Sequence, residues 1–387
     1  MSTKHASKPR LGVIYFTTIV TICSLYAAQP IQPVFQEEFA LNNLQALLFT
    51  TLMMFPLGIA PLFYGFLLES LSAKRLVRAA VLSLGLLELV FACSTDYITL
   101  LSIRAVQGLM IPAILTSLMS YISFTSDREN VQHSIAFYIA ATIVGGFLGR
   151  FLSGLSTELF GWRVFFVFLG VLLIVAFFLL DFLEKNANME YTRPRVGEVA
   201  DLLRKGQFMW LYAGIFFMFF VFSAMMNFLP FALKKSNPAT GEAGVGFLYF
   251  GYAMGLFVSL NSRRIIKYFG NESDAIRAGI IIFFIGTTLF FIQDYRVMFG
   301  AMFVFCTGLF MAHSLLSGFV NKLSSEKKAI ANGVYISFYY MGGTFGSFIP
   351  GYFFEKYGWN GFLVSLLAML LFSFFCIHMM KKHVGRL

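Results

Sequence analysis

Gly145-Gly146-Phe147-Leu148-Gly149 returns 197 residues later as Gly342-Gly343-Thr344-Phe345-Gly346. The register holds on both sides. Tyr138-Ile139 pairs with Tyr335-Ile336, and Gly154, Glu158, Gly161, Trp162 and Phe165 pair with Gly351, Glu355, Gly358, Trp359 and Phe362. The offset is about half of a 387-residue chain, and both copies lie in apolar sequence. Such a duplication predicts two homologous membrane halves. Small residues four apart let helices approach closely, so Gly145, Gly149, Gly342 and Gly346 are read as packing positions.

Composition excludes an ordinary soluble protein, because 58% of residues are hydrophobic and only 12% charged. The apolar sequence falls into blocks of about 20 residues, the length that spans a bilayer as a helix. Twelve are read, near 11–35, 44–68, 74–95, 98–122, 131–155, 162–183, 207–231, 243–262, 275–293, 296–321, 329–353 and 360–380. They are continuously apolar rather than alternating, so the fold class is all-α membrane protein and not a barrel. The expected organisation is a six-helix half over 1–183, a cytoplasmic linker over 184–206 and a second six-helix half over 207–387. In the linker, the pattern around 196–203 suits a short amphipathic helix on the membrane surface.

Charge sets the expected orientation. With the N-terminus inside, 22 of the 29 Lys and Arg residues fall on the cytoplasmic side and 5 outside, leaving Arg104 and Arg150 within apolar segments. That bias predicts cytoplasmic N- and C-termini in the cell's inner membrane, and it accounts for the net charge of +10 without a nucleic-acid partner. The basic start is not read as a cleaved signal, because no small residue stands three positions before Ala27 or Ala28. Cys23, Cys93, Cys306 and Cys376 have no close spacing, so free thiols are expected, with neither disulfides nor a metal site.

Three motifs follow in order. After the second span, Gly65-Phe66-Leu67-Leu68-Glu69-Ser70-Leu71-Ser72-Ala73-Lys74-Arg75 makes a tight turn with an acid behind it and cations ahead. The fourth span reads Leu100-x-x-x-Arg104-x-x-Gln107-Gly108, and the fifth Gly145-Gly146-x-x-Gly149-Arg150. Together these resemble the major facilitator superfamily, with a flavour of its twelve-helix drug/proton antiporters and arabinose-efflux-like permeases. The Gly65 motif is degenerate, with Glu69, Ser70 and Ser72 where the family usually has aspartate, arginine and glycine. The resemblance implies that Gly65, Glu69, Lys74 and Arg75 form a cytoplasmic gate, with Glu69 facing the start of the eleventh span near Ile330. It also implies that the first, fourth, fifth, seventh, eighth, tenth and eleventh spans line the path.

Ionisable residues at membrane depth are costly and mark candidate function. Glu88 and Arg104 flank the turn between the third and fourth spans, each about 10 Å below the surface at 1.5 Å per residue. They can form an ion pair, read either as a proton-sensitive element or as static neutralisation. Arg150 can snorkel outward, reach Glu158, or face the central cavity and hold an anionic group by forked hydrogen bonds. Its repeat mate is Ser347, so packing does not require a cation there. His313, whose mate by the Gly108/Gly308 alignment is Ala113, is either a bonded core histidine or a proton or substrate contact. Gln29, Tyr26, Asn227, Tyr138, Tyr335 and Tyr339 are further polar candidates for a midplane cavity.

The expected function is secondary transport by alternating access. No nucleotide-binding loop is present, so a proton gradient is the expected energy source, with no cofactor. Efflux of a small amphiphilic or anionic molecule by proton antiport leads, with membrane lipid the surrounding partner and a monomer as the working unit. The alternatives are uptake of an organic anion by symport or facilitated diffusion and, in another class, a lipid flippase. Scattered buried ionisable groups argue against an enzyme. Arg104→Ala is expected to abolish transport while sparing folding.

Overall fold

A computed structural model describes residues 8–70, 72–125, 131–183, 196–324 and 328–384, with side chains at all of these except 8–10, 61–70, 123–125, 131, 132, 196, 328 and 329. Every element in it is helical. The first half comprises α1 (Lys8–Tyr26), α2 (Gln32–Glu38), α3 (Asn43–Ser70), α4 (Ala73–Cys93), α5 (Tyr97–Thr125), α6 (Val131–Phe160) and α7 (Trp162–Leu179). A short linker helix, α8 (Val196–Arg204), leads into the second half. That half holds α9 (Gly206–Ser236), α10 (Glu242–Leu248), α11 (Ala253–Leu260), α12 (Ser262–Phe269), α13 (Glu272–Leu289), α14 (Tyr295–Leu323), α15 (Lys328–Gly346) and α16 (Gly351–Val384).

Among the described residues, nine helices or helix pairs are long and apolar enough to cross a membrane. Three more complete the twelve. The first span is α1 with α2, divided at Pro30. The ninth is α13, whose polar first turn, with Glu272 and Asp274, precedes its apolar stretch. The eleventh is α15 continued by 351–357, because Gly358 (φ +67°) breaks α16 before its long final stretch. Gly161, its repeat mate, has φ +86° between α6 and α7. Only glycine takes this backbone without strain, so one residue type turns the chain at the same place in both halves.

The repeat is a repeat of contacts. In each half the fifth helix packs on the first and the third on the sixth: α6 on α1 and α4 on α7, then α15 on α9 and α13 on α16. A Cβ on Gly145 would lie 2.6 Å from the Ile19 carbonyl oxygen, and one on Gly149 2.7 Å from Cys23 Cα. In the second half, Gly342 and Gly346 press on Phe216 and Phe220 in the same way. Ile19 to Phe216 and Cys23 to Phe220 are again 197 apart, so the offset extends to the partner helix. The outer surface is apolar: Val164, Val167, Phe168, Val171, Val175 and Phe178 line one exposed face of α7. Such a stripe is stable against lipid and unstable in water.

Three spans depart from continuous helix. The first is interrupted over 27–31, where Pro30 lacks an N–H and its ring crowds the preceding turn. Ser153 on α6 donates to the freed Ala27 carbonyl at 2.6 Å. The eighth narrows to a 3₁₀ turn at Tyr249–Tyr252 between α10 and α11. The eleventh opens over 347–350, ending in Pro350, whereas its counterpart α6 runs unbroken through Arg150 and Ser153.

Polar contacts between the halves gather toward one end. Gln32 Nε2 donates to Asn227 Oδ1 at 2.9 Å, and the Thr51 and Ser347 hydroxyls share a hydrogen bond of 2.8 Å. The Ala243 backbone N–H donates to Glu158 Oε2 at 2.9 Å, and Lys234 Nζ lies 3.7 Å from Glu37 Oε1. Buried or half-buried except for the exposed Glu37 and Glu158, these groups fasten α2, α3 and α6 to α9, α10 and the open turn after α15.

Candidate functional site

The two arginines at membrane depth meet different surroundings. Arg104, on α5, is fully buried inside the first half. Its Nη1 lies 3.8 Å from Glu88 Oε1 on α4, also fully buried, and donates to Gln107 Oε1 at 3.0 Å. The guanidinium faces the Phe91 ring at 4.0 Å and the Phe166 ring at 4.7 Å. Ser24 of α1 donates to Glu88 Oε1. Every neighbour belongs to the first half, so this pair ties α1, α4, α5 and α7 together.

Arg150 sits where the halves meet. It is 1% exposed, and Glu158 does not reach it, being bonded instead to the Ala243 N–H. Arg150 Nε donates to Gln29 Oε1 at 2.6 Å, and Nη1 to the Gly146 carbonyl at 2.6 Å. Its guanidinium carbon lies 3.9 Å from the ring centre of Tyr26, 4.7 Å from that of Tyr252 and 5.5 Å from that of Tyr249. Among the described residues no carboxylate comes within ion-pair distance. A desolvated cation–π contact contributes about 2 kcal/mol. Three rings therefore reach the scale of the several kcal/mol that burying one cation costs. The rings make the charge tolerable without neutralising it.

The cage is assembled from broken helices. Tyr26 ends α1 and Gln29 lies within the interruption beside Pro30, while Tyr249 and Tyr252 bound the 3₁₀ turn of the eighth span. Discontinuous helices at the interface of two repeats are where carrier proteins hold their substrates, and a mid-helix 3₁₀ turn marks a hinge. The repeat mates of Tyr26, Gln29 and Arg150 are Ser223, Met226 and Ser347, so the cage has no copy in the second half.

The remaining candidates divide into separate groups. His313 Nδ1 and the Tyr335 hydroxyl are 2.8 Å apart, and the Tyr339 ring stacks on His313 at 4.6 Å. The Tyr335 hydroxyl also donates to the His313 carbonyl at 3.3 Å, so in that arrangement Nδ1–H donates to Tyr335. Tyr138 is bonded to the Leu115 carbonyl at 2.9 Å within the first half and stands apart from both arginines. Asn227 meets Gln32 at the seam described above.

At the expected gate, Lys74 donates to the carbonyls of Asp181 and Leu183, binding the end of the sixth span in its own half. Arg75 is exposed. Gly65 and Glu69 fall on the last turns of α3, where side chains lie outside the described residues. No group of His, Cys, Asp and Glu among the described residues could hold a metal.

Tyr249, Tyr252, Gln32 and Ser24 are absent from the sequence-derived candidates. The two tyrosines are indistinguishable by pattern from the rest of the chain's 49 Phe and 17 Tyr. Gln32 carried one usable signal: an amide two residues after a helix-breaking proline, in otherwise apolar sequence.

Comparison with known proteins agrees with this architecture. The sequence model of the Major Facilitator Superfamily matches residues 14–273. The inner membrane transport protein YnfM of Escherichia coli K12 is 26% identical over 372 residues, covering 93% of this chain and 87% of that protein. The uncharacterized MFS-type transporter YybF of Bacillus subtilis is 25% identical, with 91% and 88% covered. Among solved structures, a point mutant of the nucleoside transporter NupG superposes with a TM-score of 0.75 at 13% identity, covering 97% and 99% of the two chains. A bacterial homologue of the human lysosomal transporter Spinster, inward-facing and unoccupied, gives 0.74 at 14% identity, covering 98% and 99%. At such identities the structures share the fold. The chain is an integral membrane protein and belongs to the major facilitator superfamily of membrane transporters.

Proposed function

We propose that this transporter exports a small organic anion or anionic amphiphile across the inner membrane by alternating access, in exchange for protons. The observation that carries the reading is Arg150: a buried guanidinium at the junction of the halves, ringed by tyrosines and with no carboxylate at ion-pair distance among the described residues. A substrate carboxylate or phosphate would supply the missing counter-charge by charge-assisted hydrogen bonds. Gln29 and the Gly146 carbonyl orient the fork, so little ordering remains to be done when the anion arrives.

The polar seam supports the rocking motion. The distribution of Lys and Arg favours a seam on the outer side and both termini in the cytoplasm. Release outside then requires breaking Gln32–Asn227, Thr51–Ser347 and Glu37–Lys234. Glu88 is the proton-sensitive candidate, because protonating it would remove the partner of Arg104 and loosen four helices of the first half at once. The outward direction and the coupling rest on the resemblance to proton antiporters. Location in the inner membrane is inferred from the Escherichia coli relative, an inner membrane transport protein.

The test is flux in reconstituted liposomes loaded with a labelled organic anion. An imposed inward proton gradient should accelerate efflux of the anion. Movement of anion and proton in the same direction would replace antiport by symport, and flux unchanged in Arg150→Gln would remove the site.

A further inference from the structure

The surroundings of Arg150 also discriminate among anions. Tyr252, which covers the guanidinium, continues into an aromatic surface in the second half. Its ring centre lies 5.4 Å from that of Phe310 and 5.6 Å from that of Phe222. Phe222 lies nearly parallel to Phe219 at 5.9 Å, and Phe219 stacks on Tyr339 at 3.6 Å. Tyr339 in turn stacks on His313. The series crosses α9, the 3₁₀ turn, α14 and α15, so four elements of one half present rings along a continuous strip that starts at the arginine. Tyr339 and His313, at its far end, are only partly buried although they lie mid-span.

Across the seam the first half contributes a different surface. Met54 of α3 lies against Gly343 and accepts from the Ser223 hydroxyl. Tyr26 is the ring that this half adds beside the arginine. A ligand held by Arg150 would therefore have rings along one side and the Met54 thioether across from them. Ring pairs in stacked or edge-to-face geometry contribute beyond the area they bury, and a thioether is itself favourable beside an aromatic edge. An aliphatic acid of equal size would gain only the buried area.

Building on the anion reading above, we propose that the substrates are aromatic carboxylates: planar acids whose carboxylate pairs with Arg150 and whose ring lies against the strip beginning at Tyr252.

The test is equilibrium binding to the purified full-length protein in lipid nanodiscs, with benzoate, cyclohexanecarboxylate and benzyl alcohol as probes. The first two match in charge and closely in size, and the third keeps the ring without the charge. Benzoate should bind roughly 2- to 12-fold more tightly than cyclohexanecarboxylate, the range of one aromatic pair. Benzyl alcohol should bind more weakly than either acid, and Arg150→Gln should weaken binding of both acids by roughly 10- to 150-fold. In Tyr252→Leu the ratio of the two acids should fall to about one, and in Tyr252→Phe it should persist. Using the ratio cancels any general loss of affinity or folding in the variants. Equal, Arg150-dependent binding of the two acids would overturn the aromatic preference and leave the anion site standing. Acid binding indifferent to Arg150→Gln, or benzyl alcohol binding as tightly as benzoate, would overturn the anion site and this inference with it.

Discussion

Arg104 and Arg150 are both arginines buried at membrane depth, and both lie against aromatic rings. One has a carboxylate 3.8 Å away and neighbours from a single half; the other has no carboxylate at ion-pair distance among the described residues, and neighbours from both. Burial therefore does not separate structural from functional charge in this protein. What distinguishes the two is a carboxylate partner for Arg104 and the place of Arg150 at the junction of the halves. A neutralised pair inside one rigid half can hold helices together or respond to a proton. An incompletely neutralised cation between the halves can take a ligand and feel their separation.

The contrast is sharpest in its consequences for stability. Removing Arg104 leaves Glu88 buried without its cation, and breaking one side of a buried pair costs about 3–5 kcal/mol. Arg104→Ala should therefore unfold more readily as well as lose transport, which corrects the sequence-based expectation that folding is spared. Replacing both residues, as Glu88→Gln with Arg104→Gln, should recover most of that loss in thermal unfolding of the detergent-solubilised protein. No recovery would show that the pair is not the source of the effect.

Arg150→Gln should behave in the opposite way. Its melting should stay near wild type, while affinity for an organic anion falls by about 1.5–3 kcal/mol, or roughly 10- to 150-fold, the worth of hydrogen bonds to a charged partner. Calorimetric titration separates the two outcomes. A large drop in melting temperature with affinity preserved would make Arg150 a second structural cation.

Next in size is the effect of Glu88→Gln on coupling. Transport rates measured from pH 5.5 to 8.5 should lose their pH dependence in the variant while anion binding at neutral pH remains. A profile superimposable on wild type would reduce Glu88 to a static partner of Arg104.

The smallest effect is expected at the end of the second half that bears Asp274. Lys381, Arg277 and Asn271 all bond to its carboxylate, and hold its carboxyl well below the usual carboxylate range. A depressed carboxyl contributes stability that is present above the unfolded-chain value, about pH 4, and is lost as pH falls through the lower folded value. The depressed Asp274 carboxyl stays ionised between pH 5 and 8, so the small penalty of Asp274→Asn should be flat across that window and shrink with added salt. A penalty growing toward pH 8 would assign it to another group.

The fold was legible because a duplicated gene leaves a duplicated contact. Gly145 and Gly149 must press on α1 just as Gly342 and Gly346 press on α9, and only glycine fits, so the offset survived in the sequence. Gly161 and Gly358 persist for the same kind of reason, a positive φ. Comparing mates also drew attention to Arg150, whose equivalent, Ser347, lies in the open turn that Pro350 imposes on the eleventh span. The interruption at Pro30 was less legible, since hydropathy runs straight through 11–35 while the backbone does not. The tyrosine cage was not legible at all. Tyr249 and Tyr252 become special through a 3₁₀ turn and a contact across the halves, neither of which has a local pattern.

The most direct test is anion-dependent stabilisation of four proteins side by side: wild type, Arg150→Gln, the Glu88→Gln/Arg104→Gln pair and Tyr252→Phe, with benzoate as the ligand. The account predicts a melting shift that rises with benzoate concentration in wild type, the charge-pair variant and Tyr252→Phe, and is abolished in Arg150→Gln. A shift retained in Arg150→Gln, or lost on replacing the pair inside the first half, would contradict the assignment of the substrate anion to the junction of the halves.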